Sequence, residues 1–84
     1  MGPRSRAVHE YSYQIHVVDG VNDIIETIGE MDIFPVAKAA FEAALSHRTL
    51  SLVQLRQGGR IIETAKTGLY DSKTETVPIE WRRS

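Results

Sequence analysis

The stretch whose reading decides the fold is residues 34–64, FPVAKAAFEAALSHRTLSLVQLRQGGRIIET. Proline fixes φ near the helical value and keeps its predecessor out of the α region. Phe34 is therefore expected outside a helix, with Pro35 at its first position. Asp32 favours that end through the helix dipole, and His47 and Arg48 suit the opposite pole. Between them Ala37, Ala40, Phe41, Ala44 and Leu45 recur at helical spacing, with Lys38, Glu42 and Ser46 facing water. This predicts one amphipathic helix over residues 35–47, anchored by Phe41 and smooth enough at its alanines to lie close to a sheet.

The period then changes. Residues 50–57 and 60–66 alternate as strands do and meet at Gly58-Gly59, whose freedom at positive φ suits a two-residue hairpin. With that loop Gln57 faces Arg60, Leu55 faces Ile62 and Val53 faces Thr64. One face of the hairpin then holds Val53, Leu55 and Ile62. The other holds Leu50, Leu52, Gln54, Arg56, Ile61 and Glu63, with Arg56 and Glu63 as an ordinary exposed diagonal pair.

Upstream, residues 10–18 alternate Tyr11, Tyr13, Ile15 and Val17 against Ser12, Gln14 and His16, a strand signal. Asp19-Gly20 and Asn22-Asp23 are turn chemistry. Residues 24–31 admit two readings. Val21, Ile24, Ile25, Ile28 and Met31 fit helical spacing, and Asp23 with Glu26 resembles a capping box. The isoleucines, Thr27 and Gly29 instead favour the return arm of a hairpin, which is the reading preferred here. Residues 1–8 are polar and expected to be disordered. After Lys66 the chain turns polar, then places Val77, Ile79 and Trp81 before Arg82 and Arg83.

Length and composition bound the function. Eighty-four residues allow one domain, and such a chain buries only about 60% of its unfolded surface. The formal net charge of −1 provides no global basic field for a nucleic acid or an anionic membrane. Without cysteine there are no disulfides, thiolate metal sites or cysteine nucleophiles, and a reducing cytoplasm is the expected compartment. No apolar run approaches the roughly 20 residues of a membrane span, and the first residues lack the apolar stretch of a signal peptide.

The elements Ala39 to Leu45, Val53 to Arg56, Gly58-Gly59 and Arg60 to Ile62 together resemble small bacterial single-domain proteins. Those proteins carry an alanine-rich helix, an L-R strand, a glycine turn and an R-I-I strand. The resemblance covers about a third of the chain. It implies a bacterial origin and a ββαββ unit, with no activity and no functional residue to transfer.

Candidate sites are few. His9, His16 and His47 make no metal-ligand spacing, and His16 lacks a visible orienting acid for general-base work. Gly58-Gly59 sits between two strands, whereas a phosphate loop needs a strand-to-helix setting. No catalytic, cofactor or metal residue is assigned. Arg48, Arg56, Arg60, Arg82 and Arg83, with Tyr11 and Tyr13, would be the contacts of an RNA- or DNA-binding accessory protein. The stronger anomaly is apolar excess. A single helix covers one face of a sheet, yet Leu50, Leu52 and Ile61 fall on the other, and uncovered apolar patches mark interaction surfaces. The tail segment Val77, Ile79 and Trp81 or a second copy of the protein would serve as cover.

The expectation is thus an α+β domain over residues 9–66. A small antiparallel sheet in β-β-α-β-β order carries one helix on one face, and an irregular tail follows over residues 67–84, one of the two candidate covers for the other face. Its function is expected to be non-enzymatic protein interaction, with homodimerisation one form of it. The candidate surface is Leu50, Leu52, Gln54, Arg56, Ile61 and Trp81.

Overall fold

A computed structural model describes residues 12–84. The start of the first strand at Glu10 and Tyr11, the end expected to be disordered and His9 lie outside the described residues. The elements are β1 (Tyr13–Val18), β2 (Ile24–Met31), α1 (Phe34–His47), β3 (Leu52–Gln57), β4 (Arg60–Thr67) and β5 (Ile79–Arg83). All five strands form one antiparallel sheet in the order β2-β1-β3-β4-β5, with α1 connecting β2 to β3. The α+β class and the β-β-α-β-β order are those of the sequence. The segment 24–31 is a strand.

The helix starts one residue earlier than expected, at Phe34, with Pro35 still inside the first turn where its missing N–H costs nothing. Among the described residues no side chain caps it; the Ile33 carbonyl accepts from the Ala37 N–H at 3.0 Å. Its buried stripe is Ala37, Phe41, Ala44 and Leu45, which pack on Ile15, Val53, Leu55 and Ala65 to make the core. The helix packs on β1, β2 and β3. Of β4 and β5, Ala65 joins this core, and Glu63 and Arg82 meet the helix through Lys38 and Glu42.

Three expectations need correction. First, β3 begins at Leu52; Leu50 sits in the preceding turn with φ 52°, 59% exposed, and belongs to no strand face. Second, the hairpin register breaks. Gln57 faces Arg60 as expected, but Arg56 faces Ile61 and Leu55 faces Glu63, so Ile62 is an extra residue and Val53 meets Ala65. This bulge lets Ile62 pack against the core and turns Glu63 to the helix side. The Arg56–Glu63 pair therefore does not form. Third, the tail does not lie over a sheet face. After a turn bridged between Asp71 and Thr76 it pairs with β4 as an edge strand, Trp81 opposite Lys66 and Arg82 opposite Ala65.

Candidate interaction face

Residues paired directly across a ladder point to the same face, so the registers define the surface opposite α1 row by row. The first row is Ile24, Val18, Leu52, Lys66 and Trp81, one residue from each strand. The second is Thr27, His16, Gln54, Thr64 and Arg83, and the third is Glu30, Gln14, Arg56 and Ile61. The first row is apolar but for Lys66, whereas the second and third are mainly polar and charged, with Ile61 the apolar exception.

Its centre is a polar network. Gln54, only 2% exposed, donates from Nε2 to Asn22 Oδ1 at 3.0 Å and accepts at Oε1 from Arg56 Nε at 2.8 Å and Nη2 at 2.6 Å. Arg56 Nη2 also reaches the Asn22 carbonyl at 3.3 Å. Asn22 is brought there by a tight loop in which Asp19 Oδ1 accepts from the Val21 and Asp23 N–H groups, leaving Asn22 at φ 67°. That conformation suits asparagine better than most residues. His16, 8% exposed, holds Thr27 Oγ1 at 3.0 Å through Nδ1. Burial lowers its basicity and the Arg56 guanidinium lowers it further, with Glu30 acting the other way. Every buried side-chain N or O among the described residues has a partner, so the network is closed.

Of the six expected surface residues, Leu52, Gln54 and Arg56 line β3 on this face, Ile61 adjoins Arg56, and Trp81 lies across Lys66 from Leu52. Trp81 and Ile61 are 40% and 43% exposed; Gln54 is sealed beneath Asn22 and Arg56, and Leu50 is elsewhere. The five arginines do not converge. Arg48 forms a bidentate pair with Glu26, Nη1 to Oε1 and Nη2 to Oε2, both at 2.8 Å. Arg82 is held by Glu42 and Glu63, and Arg60 by Gln57. Only Arg56 and Arg83 share the open face, Arg83 lying 4.8 Å from the Trp81 ring centroid.

Two groups were not legible as functional or structural centres. The sequence marks Asn22 only as turn chemistry, whereas in the fold it seals Gln54. On the helix side, Lys38, Glu42, Glu63 and Arg82 form a four-charge cluster at the edge of Phe41, with Lys38 and Arg82 lying 5.6 and 5.9 Å from its ring centroid. A hydrogen bond to Glu63 raises the Lys38 pKa, and one from Arg82 lowers that of Glu42. Burial pushes Glu63 up, but hydrogen bonds from Lys38 and Arg82 outweigh it and hold the carboxyl below its usual value. Among the described residues no three His, Asp or Glu side chains gather as metal ligands, and no helix is long and apolar enough to cross a membrane.

No family model, curated protein or solved structure matches the chain, so the functional reading rests on its own residues.

Proposed function

We propose that this chain is a non-enzymatic protein-interaction module that works through the sheet face opposite α1, and that its partner is a second copy of itself. The observation that carries this reading is the row Ile24, Val18, Leu52, Lys66 and Trp81, which crosses all five strands. Among the described residues no second helix or sheet lies above it, and although Val18 is only 3% exposed, Ile24 and Trp81 at its two ends are 49% and 40% exposed. Edge pairing is the weaker alternative. The ladder of β2 breaks twice, at Ile25 and Ile28, and β5 carries Glu80, Arg82 and Arg83. Bulges and charges of this kind blunt an edge against added strands.

The face suits a two-fold partner. The central strand is β3, with β2 and β5 equally far to either side. An axis parallel to β3 sets Ile24 of one copy against Trp81 of the other and brings Glu30 toward Arg83, which is the self-complementarity an isologous interface requires. The area is modest. Strands about 4.8 Å apart and 20 Å long give a face of roughly 400 Å² per copy, the scale of a weak association.

Light scattering over a concentration series tests this. Ile24→Glu and Trp81→Ala, at opposite edges of the sheet, should each weaken the dimer at least tenfold. A chain that stays monomeric at millimolar concentration, or a dimer indifferent to Ile24→Glu, overturns the reading.

A nucleic-acid accessory role is the second reading, favoured by Arg83 over Trp81 on the same face as Arg56. Two of the five arginines it would need, Arg48 and Arg82, are already paired within the chain. Phosphate contacts impose a steep salt dependence, so absence of oligonucleotide binding at low salt disposes of it.

A further inference from the structure

We infer that β5 is an exchangeable strand, which in a second copy of this chain occupies the same place on β4, so that two copies are joined by reciprocal strand exchange. This rests on the reading of the chain as a self-associating module and supplies what the small sheet face lacks, a second and larger contact between copies.

Four observations place the exchange at this strand. At the sheet edge, β5 pairs with β4 alone among the described residues, and all five of its residues are exposed. It places no residue in the hydrophobic core cluster and touches it only where Arg82 lies over the edge of Phe41, so its release leaves β1, β2 and β3 under the helix. Its side-chain ties are surface charges: Arg82 to Glu42 and Glu63, and Glu80 to Lys66 at 3.5 Å. The connection, residues 68–78, spans roughly 35 Å when extended, enough to carry the strand to a neighbour.

The fourth observation is strain in that connection. It doubles back through a turn with paired bonds between Asp71 and Thr76, at 2.8 and 3.2 Å, and Glu75 within it has φ 58°. Left-handed backbone is disfavoured for a glutamate, and strained hinge loops favour exchange because opening relieves them. No comparable feature marks the β3–β4 hairpin, where the positive φ falls on Gly58.

The occupant is a second copy because the site is already written for this strand. The edge of β4 meets β5 at Thr64–Arg83, Ala65–Arg82 and Lys66–Trp81, and Glu42 and Glu63 receive Arg82. Closed and exchanged forms make the same contacts. Their balance is set by the effective concentration of the tethered strand, on the order of millimolar for a short flexible connection, and by the relieved turn.

The chain has no cysteine, so introduced thiols report the exchange directly. One chain carries Thr64→Cys and the other, isotopically labelled, Arg83→Cys; they are mixed at about millimolar concentration, oxidised, and weighed under denaturing conditions. The expected product is the mixed disulfide in several-fold excess over same-chain dimers, forming faster with Arg82→Ala in either chain, since the ties it loses hold β5 in both forms and their loss lowers the barrier to release. Lys66→Cys with Trp81→Cys is the second reporter should the first pair fail to fold. A doubly substituted Thr64→Cys, Arg83→Cys chain gives an internal disulfide when strands stay home. A dimer by light scattering that forms only internal disulfides overturns exchange while leaving face association standing. A monomer with no mixed disulfide overturns both.

Discussion

Arg82 on the edge strand donates from Nε to Glu63 Oε2 on the neighbouring strand at 2.7 Å, while its Nη1 reaches Glu42 Oε1 on the helix at 3.2 Å. One side chain thus joins β5, β4 and α1. Lys38 completes the set, 2.6 Å from Glu63 and 3.0 Å from Glu42. The cluster closes the side of the core that α1 leaves open beyond β3.

Arg82→Ala should therefore loosen the tail as well as lower stability. Partly exposed ion pairs contribute at most about 1 kcal/mol each, so losing both should cost roughly 1–2 kcal/mol. The loss should shrink in about 1 M salt, where the screening length falls to about 3 Å. Urea unfolding at low and high salt measures it. An undiminished loss at high salt would assign the effect to packing over Phe41 instead of to charge.

Acid should act in two windows. The His16 pKa is depressed by burial and by Arg56, so the unfolded chain takes the proton more readily. Stability is then complete above about pH 6.5 and falls as the pH drops toward the folded-state value. The Glu42 and Glu63 carboxyls, held below 4.5, lose their contribution at lower pH, as they are protonated through their folded values. His16→Gln should remove the first decline and leave the second. Melting temperatures from pH 7.5 to 3 check this, and a variant that retains both declines would remove His16 from the account.

How far the sequence reached follows from which interactions are local. Pro35, the alanine spacing and Gly58-Gly59 act within a few residues of themselves, so the helix and the hairpin tip were legible. The extra residue at Ile62 was not. Whether Glu63 turns toward Leu55 is decided by Lys38 and Arg82, which belong to other elements. The tail misled for a similar reason: Val77, Ile79 and Trp81 alternate as an edge strand does, yet their apolarity suggested a lid. Alternation alone places Leu52, Arg56 and Ile61 on one face of the hairpin, whereas Trp81 enters only as part of the tail. The loop that seals Gln54 was missed because Asn22 reaches it only through the folded turn.

Glycine matters at one of the two hairpin positions. Gly58 sits at φ 59°, and a Cβ there forces the left-handed conformation on an L-residue. Gly58→Ala should cost about 1 kcal/mol. At Gly59 a Cβ would meet nothing within 4 Å, and its φ carries no such penalty. Gly59→Ala should be near neutral or slightly stabilising. Paired urea midpoints separate the two, and equal losses would mean that the turn needs flexibility at both positions.

The last prediction concerns Thr67, fully buried where β4 passes the end of the helix. Its Oγ1 donates to the Arg48 carbonyl at 2.6 Å and accepts from the Ser51 N–H at 2.9 Å, while its own N–H binds the Ser51 carbonyl at 2.8 Å. The hydroxyl thereby satisfies the helix's C-terminal side and the entry to β3 together, in the turn where Leu50 is held at positive φ. Thr67→Val keeps the shape and the β-branch but leaves one backbone donor without its partner in a buried place. An unsatisfied buried group costs about 1–3 kcal/mol, so Thr67→Val should lose that much, whereas Thr67→Ser, which keeps the hydroxyl, should lose about 1 kcal/mol or less for its methyl. Amide exchange at Ser51 should accelerate in the valine variant alone. If both variants lose stability equally, the methyl packing and not the hydroxyl bridge holds the helix end against the sheet.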